Sequence, residues 1–305
     1  MSRQPPLAEP LVDEPDFANL EPEALSNWQL FRRRFFRHRL ALLSMAILVI
    51  LMIACYGATW LAPHKQNVQN LLQSDLKPSL KHPFGTDDLG RDQLSEIMYA
   101  GRISLTIGLA VALLSTIVGV TIGAIAAYYG KITDQLLSSL TDLFLILPDI
   151  ALLAVAIQHF GHGQSPIIFV LAALSWTYLA RVVRAQVLSL KEKEFIEAAR
   201  ASGASTRRIL MQHILPNCLG PIMVNATLTV AIAISSEAAL SFLGFGVQPP
   251  HNSWGRMLAD AEPYINSTDK WYLVFFPGFM LLLTILAVNF LGDALRDALD
   301  PQSRY

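Results

Sequence analysis

The chain has 305 residues, of which 53% are hydrophobic and only 15% are charged, and its formal net charge is −1. A soluble domain carries about a quarter charged residues, so the composition argues against an ordinary soluble protein. The near-neutral charge gives no overall basic signal for a nucleic-acid partner. The apolar residues occur in long blocks, which is typical of a protein that crosses a membrane.

The N-terminal stretch, residues 1–27, is rich in proline and acidic residues and contains one arginine. Such a segment cannot bury enough apolar surface to fold, and a secretory signal peptide would begin basic and turn apolar within a few residues. We therefore predict a disordered cytoplasmic tail. The next stretch, residues 28–39, has Trp28, Phe31 and Phe35 at helical spacing with arginines between them. This pattern predicts a short helix along the inner membrane surface, and the arginines also fit the positive charge expected on that side.

Six apolar blocks follow, and crossing a bilayer takes about 20 residues each. We predict an all-α membrane protein whose transmembrane domain covers residues 40–301. The predicted spans are residues 40–61, 103–129, 136–160, 166–182, 217–246 and 271–292. With both termini in the cytoplasm, most of the 23 Lys and Arg residues lie on the cytoplasmic side, as the positive-inside rule requires.

The second span carries small residues at intervals of four, namely Ser115, Gly119, Gly123 and Ala127. Small residues at this spacing let two helices approach closely in lipid. The pattern predicts a packing face, either within the bundle or against a partner, and identifies no function by itself.

Two segments expected outside the membrane, residues 82–104 and 244–258, contain clusters of glycine, proline, aspartate and tryptophan. Such clusters indicate defined turns. Four of the side chains are of types that bind metals, namely His82, Asp87, Asp88 and Asp92. We interpret the aspartates and glycines as turn-forming, with Arg91 and Arg102 available to neutralise the acids, and we predict no metal site.

The loop between the fourth and fifth spans, residues 191–216, is predicted to be a helix, a turn and a second helix. Gly203 lies where the first helix would end, because glycine readily adopts the left-handed conformation of a helix C-terminus. Ser205 or Thr206 can cap the second helix, and Pro216 suits the start of the fifth span.

The first helix of this loop combines apolar, small and charged residues, namely Phe195, Ile196, Glu197, Ala198, Ala199 and Arg200. Small side chains let another surface come close, and apolar side chains on a water-facing loop make sense beneath a partner. One interpretation is therefore a docking helix. The other is an amphipathic connector that rests on the membrane or on the protein's own helices.

This loop resembles the EAA loop of ABC-importer permease subunits. The matching positions are Glu197-Ala198-Ala199, Gly203 and Leu215-Pro216, while His213 stands where the family usually has isoleucine. Four further segments resemble the second permease of dipeptide, oligopeptide and nickel importers: HPFGTDDLGRD (82–92), AALSFLGFGVQPP (238–250), WGRML (254–258) and NFLGDALRDALDP (289–301). Together with the spans, the resemblance covers residues 28–301.

The resemblance implies a type I ABC-importer permease of the bacterial inner membrane that imports short peptides; nickel, glutathione-like peptides and antimicrobial peptides are alternative cargoes. It implies a second permease, two cytoplasmic ATPase subunits that bind ATP and Mg²⁺, and an external substrate-binding protein as partners. This chain itself is expected to bind no cofactor or metal. The coupling residues it implies are Phe195, Ile196, Glu197, Ala198, Ala199, Arg200, Gly203 and Pro216.

Three acidic residues, Asp142, Asp149 and Glu237, fall within the predicted spans. A carboxylate at mid-bilayer costs about 2.5–3.5 kcal/mol on insertion scales, so these side chains should face the bundle interior, a partner or water. We predict that the fifth span lines the translocation pathway, with Glu237, Asn225, Ser235, Ser236 and Asp149 as candidates. A structural hydrogen bond to a neighbouring span is the alternative for Glu237, and Asp142 is near enough to the cytoplasmic edge to be an interface residue.

Two other classes of protein remain open. A transporter driven by an ion gradient would use the buried carboxylates as proton sites but leaves the Gly203 loop unexplained. An intramembrane enzyme could use His159 and His162 as metal ligands, although we interpret them as part of a polar turn. The sequence has no Walker A loop, so we do not expect this chain to be the ATPase.

Overall fold

The computed structural model describes residues 27–161 and 163–299; the predicted tail over residues 1–26 lies outside them, as does His162. Within these ranges the regular structure is helical apart from one isolated β-bridge between Thr86 and Asp92. The helices are α1 (Asn27–Arg37), α2 (Arg39–Tyr56), α3 (Ala58–Leu61), α4 (Gln93–Tyr129), α5 (Lys131–Ile146), α6 (Asp149–Phe160), α7 (Gln164–Leu190), α8 (Glu194–Ala201), α9 (Thr206–Arg208), α10 (Leu215–Phe242), α11 (Trp254–Ala261) and α12 (Trp271–Leu299).

Among the described residues, five helices are long and apolar enough to cross a membrane: α2, α4, α7, the continuous helix Thr206–Phe242 and α12. The apolar spans predicted from the sequence therefore have helical counterparts, with one exception. A sixth span is present only if α5 and α6 are counted together as one broken span.

The third predicted span, residues 136–160, is not one straight helix. It consists of the helices Lys131–Ile146 and Ala151–Phe160, which meet at an angle of 93°. Proline lacks a backbone N–H and disfavours helical geometry in the residue before it, and Pro148 follows Leu147, which is extended with ψ 136°. The break therefore lies at the proline, and the bend can belong either to a broken span or to a re-entrant loop.

The central contact of the bundle joins α4 and α7. Ser115, Gly119, Gly123 and Ala127 are all buried on α4. A Cβ on Gly119 would lie 2.8 Å from the carbonyl oxygen of Trp176, and one on Gly123 would overlap the carbonyl oxygen of Ala180. The two backbones thus approach so closely that only glycine fits at both positions.

The remaining helices assemble around this pair. The α10 helix packs on α4, α7 and α12, and α2 packs on α12 and α4. The short α1 helix also contacts α12, where Phe35 of α1 and Ala41 of α2 form a buried cluster with Ala294 and Ala298. A helix is therefore present at the predicted position, as α1, and one of its faces packs on the protein itself; its place along the membrane surface stays a prediction.

The polar segments that precede α4 and α12 are tied together. Lys270 Nζ lies 2.7 Å from Asp75 Oδ1, and this hydrogen bond raises the pKa of Lys270. Asp87 accepts hydrogen bonds from the backbone N–H of Leu89 and Arg91, and Arg91 Nε donates to its other oxygen at 2.6 Å. These segments therefore contain the turns that the sequence indicates, with Arg91 neutralising Asp87.

The α4–α7 contact leads to a matched pair of substitutions. Gly123→Ala should lower the free energy of unfolding by about 1–3 kcal/mol, because the new methyl group overpacks the contact with α7. Gly220→Ala in α10 adds the same methyl group at an ordinary 3.5 Å from Leu299 Cβ and gains helix propensity, so it should be neutral or stabilising. Thermal unfolding in mild detergent measures both, and an unchanged midpoint for Gly123→Ala would contradict the close contact.

Candidate functional site

The candidate site is the loop that contains α8. The helix begins after Lys193, which has extended backbone angles, and ends at Ala201, with Ser202 as its C-cap. Gly203 then adopts a φ of +80°, and the N–H of Ala204 donates to the carbonyl oxygen of Ala199 at 3.0 Å. The chain therefore turns at the glycine that the sequence indicates, because a residue with a Cβ is strained in this conformation.

The second helix of the loop continues into the fifth span without a break. Ser205 caps it by accepting a hydrogen bond from the N–H of Arg208, and residues Ile209–Ile214 form a π-helical turn before Pro216. A proline inside a helix has no N–H to donate and its ring crowds the carbonyl four residues earlier. The wider turn accommodates Pro216 because the N–H of Leu215 bonds five residues back, to Leu210.

Ile196 does not face water, so the prediction that Phe195 and Ile196 are both exposed is wrong for Ile196. Its side chain is 0% exposed and belongs to a buried cluster with residues of α4, α7 and the π-helical turn. The members of this cluster, which we call the α8 pocket, are Ala124, Ala127, Leu179, Val183, Val187, Ile196, Ile209, Ile214, Cys218 and Ile222. The hydrophobic spacing of α8 itself could not reveal this, because the pocket is assembled from distant segments.

The opposite face of α8 is open. Phe195 is 45% exposed, Glu197, Ala198 and Arg200 are exposed, and Ala199 is half-buried. An exposed phenylalanine beside a small exposed alanine is an apolar spot framed by charges, which suits contact with another protein. One face of the helix thus rests on the protein's own helices, as the connector interpretation expects, and the other is exposed, while docking to a partner stays a prediction.

Ion pairs link α7 to α5 on the route from α8 into the bundle. Arg184 makes two hydrogen bonds to Asp134, at 2.5 and 2.6 Å, and Arg181 pairs with Asp142 at 2.6 Å. Lys191 Nζ, just before α8, donates to the carbonyl oxygen of Ala127 at the end of α4. Asp142 is therefore an ion-pair partner of α7 within this chain.

Glu237, the first pathway candidate, is enclosed by the chain. Its side chain is 0% exposed and accepts hydrogen bonds from Ser241 Oγ at 2.6 Å and Ser104 Oγ at 3.3 Å. Ser104 Oγ also accepts from the backbone N–H of Trp254, and Ser241 Oγ lies 3.3 Å from Ser253 Oγ. The network joins α10, α4 and the start of α11, as the alternative of a structural hydrogen bond anticipates.

The other pathway candidates do not gather around Glu237. Asn225 is half-buried, donates to the carbonyl oxygen of Pro221, and lines a cavity of about 440 Å³ between α7, α10 and α12. Ser235 is exposed and Ser236 half-buried. From Asn225 to Ser235 the rise along the helix is about 15 Å, so they cannot form one site. The side chain of Asp149 lies outside the described residues.

Comparisons with known proteins agree with one another. A family model described as the binding-protein-dependent transport system inner membrane component matches residues 119–305, and a model of the N-terminal transmembrane domain of oligopeptide transport permease C matches residues 26–79. The chain is 40% identical to the dipeptide transport system permease protein DppC of Bacillus subtilis over 281 residues, which cover 92% of this chain and 88% of that protein. It is 40% identical to the oligopeptide transport system permease protein OppC of Haemophilus influenzae over 287 residues, which cover 93% and 92%.

The fold also resembles a chain of the MetNI methionine ABC transporter solved in an inward-facing form. The TM-score is 0.52 at 20% sequence identity, and the match covers 65% of this chain and 93% of that chain. At this level of identity the similarity concerns the fold alone.

The two faces of α8 can be separated by substitution. Ile196→Ala should weaken docking of α8 by about 2–5 kcal/mol, because it leaves a cavity in the α8 pocket. Phe195→Ala removes an exposed side chain and should leave docking unchanged. Hydrogen exchange of residues 194–201 measures docking, and equal exchange in both variants would contradict the assignment of the faces.

Proposed function

Because the chain belongs to the family of binding-protein-dependent transport system inner membrane components, we propose that it is a permease subunit of an ATP-driven importer of short peptides. The apolar helices and the family place it as a multi-pass protein of a bacterial inner membrane. The proposal of a peptide cargo is supported by relatives named for dipeptide and oligopeptide transport, which match nine-tenths of the chain.

The assembly that we propose contains a second permease, two cytoplasmic ATPase subunits and an external substrate-binding protein, with both termini of this chain in the cytoplasm. The ATPase subunits bind ATP and Mg²⁺, and this chain supplies half of the translocation pathway. A role outside ATP hydrolysis fits the family, which is that of the membrane component.

The observation that carries the proposal is the division of α8 into a buried and an open face. The open face, with Phe195 and Ala198, would contact an ATPase subunit. Ile196 on the opposite face sits in the α8 pocket, and burying such a side chain contributes about 1.5–3 kcal/mol. A displacement of α8 by the ATPase would therefore move α4, α7 and α10 with it, because close-packed interiors transmit displacement.

For the pathway, the structure favours Asn225 over Glu237. Asn225 borders an open cavity between α7, α10 and α12, whereas the side chain of Glu237 is fully buried and hydrogen-bonded to serine side chains. We propose that the cavity lined by Asn225 belongs to the pathway and that Glu237 holds α10 against α4.

Nickel, glutathione-like peptides and antimicrobial peptides are tested as cargoes by uptake assays with the same complex. An ion-gradient transporter would import without ATP, so dependence of uptake on ATP separates the two classes.

The turn at Gly203 provides a test of coupling. A Cβ there would meet no atom within 4 Å, so only the left-handed backbone opposes a side chain. Gly203→Val should reduce uptake about tenfold, since that conformation costs a branched residue about 1–2 kcal/mol and the turn would shift. Gly203→Asn should keep most uptake, because asparagine adopts this conformation more readily.

Membrane insertion of both Gly203 variants is checked by their abundance in the membrane fraction. Equal uptake by the valine and asparagine variants would show that the position of α8 does not matter for transport.

A crosslinking experiment tests the partner of the open face directly. Ala198→Cys should crosslink to an ATPase subunit in the assembled complex, because the side chain is exposed on α8. Leu72→Cys is the matched control: it is also exposed, but it lies in the segment before α4, at the other end of that long helix. Capture of the ATPase by both variants, or by neither, would argue against docking through α8.

A further inference from the structure

Three side chains of metal-binding type converge where α4 begins. One ligand atom from each of His64, His82 and Asp92 lies within 4.8 Å of the others. His82 Nδ1 is 2.9 Å from Asp92 Oδ1, and His64 Nδ1 is 3.7 Å from Asp92 Oδ2. The cluster is separated from α8 by the whole length of α4, which is about 55 Å for 37 residues.

The backbone around the cluster holds these side chains in place. Asp92 caps α4, and its Oδ2 accepts hydrogen bonds from the N–H of Ser95 at 2.9 Å and from Ser95 Oγ at 2.7 Å. The hydroxyl of Ser95 accepts in turn from the N–H of His64 at 3.1 Å. The carbonyl oxygen of His82 accepts from the N–H groups of Ser79 and Gly85 at 2.8 and 2.9 Å. The three candidate ligands are thus preorganised by fixed main-chain contacts.

Two imidazole nitrogens of the cluster are buried without a hydrogen bond to any described residue. They are Nδ1 of His64 and Nε2 of His82. His82 as a whole is 2% exposed. A buried polar atom without a partner costs about 1–3 kcal/mol. The hydrogen bond to Asp92 accounts for Nδ1 of His82. Neither that hydrogen bond nor the capping of α4 by Asp92 accounts for the position of His64 beside them.

We propose that His64, His82 and Asp92 bind one divalent transition-metal ion, with Zn²⁺ as the best fit and water as the fourth ligand. Two imidazoles and one carboxylate are a donor set that zinc takes in three-ligand protein sites. Ligand atoms at 2.0–2.1 Å from a tetrahedral ion are about 3.3 Å apart. The distances of 2.9 and 3.7 Å run to the two different oxygens of the Asp92 carboxylate, and one ligand atom from each residue lies within 4.8 Å of the others, so small side-chain movements bring all three to one ion.

His64 is the side chain that can move to close the metal site. The side chain of His64 is 39% exposed, whereas those of His82 and Asp92 are 3% and 1% exposed. His64 can therefore shift towards the other two without repacking the interior, and its exposure gives water access to the fourth position. In a neutral His82, metal binding at Nδ1 moves the ring proton to Nε2, since the ligating nitrogen must be deprotonated.

From the sequence alone we predict no metal site here, although His82 and Asp92 are among the side chains of metal-binding type. His82 and Asp92 stand in one motif, but His64 comes from the segment after α3 and its proximity is set by the hydrogen bond to Ser95. Asp87 and Asp88, the other acidic residues of that motif, do not belong to the cluster. Asp87 is engaged with Arg91 instead.

The test is a Zn²⁺ titration of the full chain in nanodiscs after removal of metal by a chelator. Equilibrium dialysis with metal analysis should find one saturable Zn²⁺ per chain. His64→Ala should raise the dissociation constant at least about tenfold, since loss even of an outer-shell partner costs 10–100-fold. His251→Ala removes an exposed histidine that does not belong to the cluster and should leave the constant unchanged.

X-ray absorption at the zinc edge provides the second measurement, with two imidazole ligands and oxygen ligands expected at about 2.0–2.1 Å. Absence of saturable binding by the unaltered chain would overturn the proposal, and so would equal affinity in the His64→Ala chain. An equal loss of affinity in the His251→Ala chain would place the ion elsewhere and overturn it too. Metal content is measured on the protein and not through uptake, so this result is independent of the proposed import function.

Discussion

The close approach of α4 and α7 is the constraint on which the rest of the structure depends. In lipid there is no hydrophobic effect to press helices together, so tight packing and small residues must do so. Gly119 and Gly123 let α7 lie against the α4 backbone, with carbonyl oxygens where side chains would otherwise be. This contact brings Ala124 and Ala127 beside Val183 and Val187, and these residues form most of one side of the pocket that receives Ile196. The position of α8 is therefore a consequence of glycines in the membrane.

Local sequence patterns were sufficient to predict the features of the fold that depend on interactions between residues close together in the chain. The apolar blocks, the four-residue spacing of small residues, the turn at Gly203 and the cap at Ser205 each depend on residues close together in the chain. Their structural counterparts follow directly from helix and turn geometry. The family resemblance rested on the same short segments and on the order of the spans.

Predictions were incomplete where distant segments meet. The burial of Ile196 depends on α4, α7 and the π-helical turn, and the enclosure of Glu237 depends on Ser104, more than a hundred residues earlier. His64 joins the cluster at the start of α4 through Ser95, which no spacing along the chain indicates. A sequence shows which residues are unusual for a membrane span, but the partner that makes each one acceptable is fixed only by the packing of whole helices.

The π-helical turn over Ile209–Ile214 bears on how this chain tolerates changes in length. A π turn holds one residue more than an α turn of the same rise, so it acts as an inserted residue within the continuous helix Thr206–Phe242. Deleting one residue there would rewind the turn to α geometry, and the helix before and after it would keep its relative orientation, because the π turn already contains the extra residue. A deletion in the α-helical part that follows would instead rotate everything before it, α8 included, by about 100° about the helix axis. Single-residue deletions should therefore be better tolerated within Ile209–Ile214 than farther along the same helix.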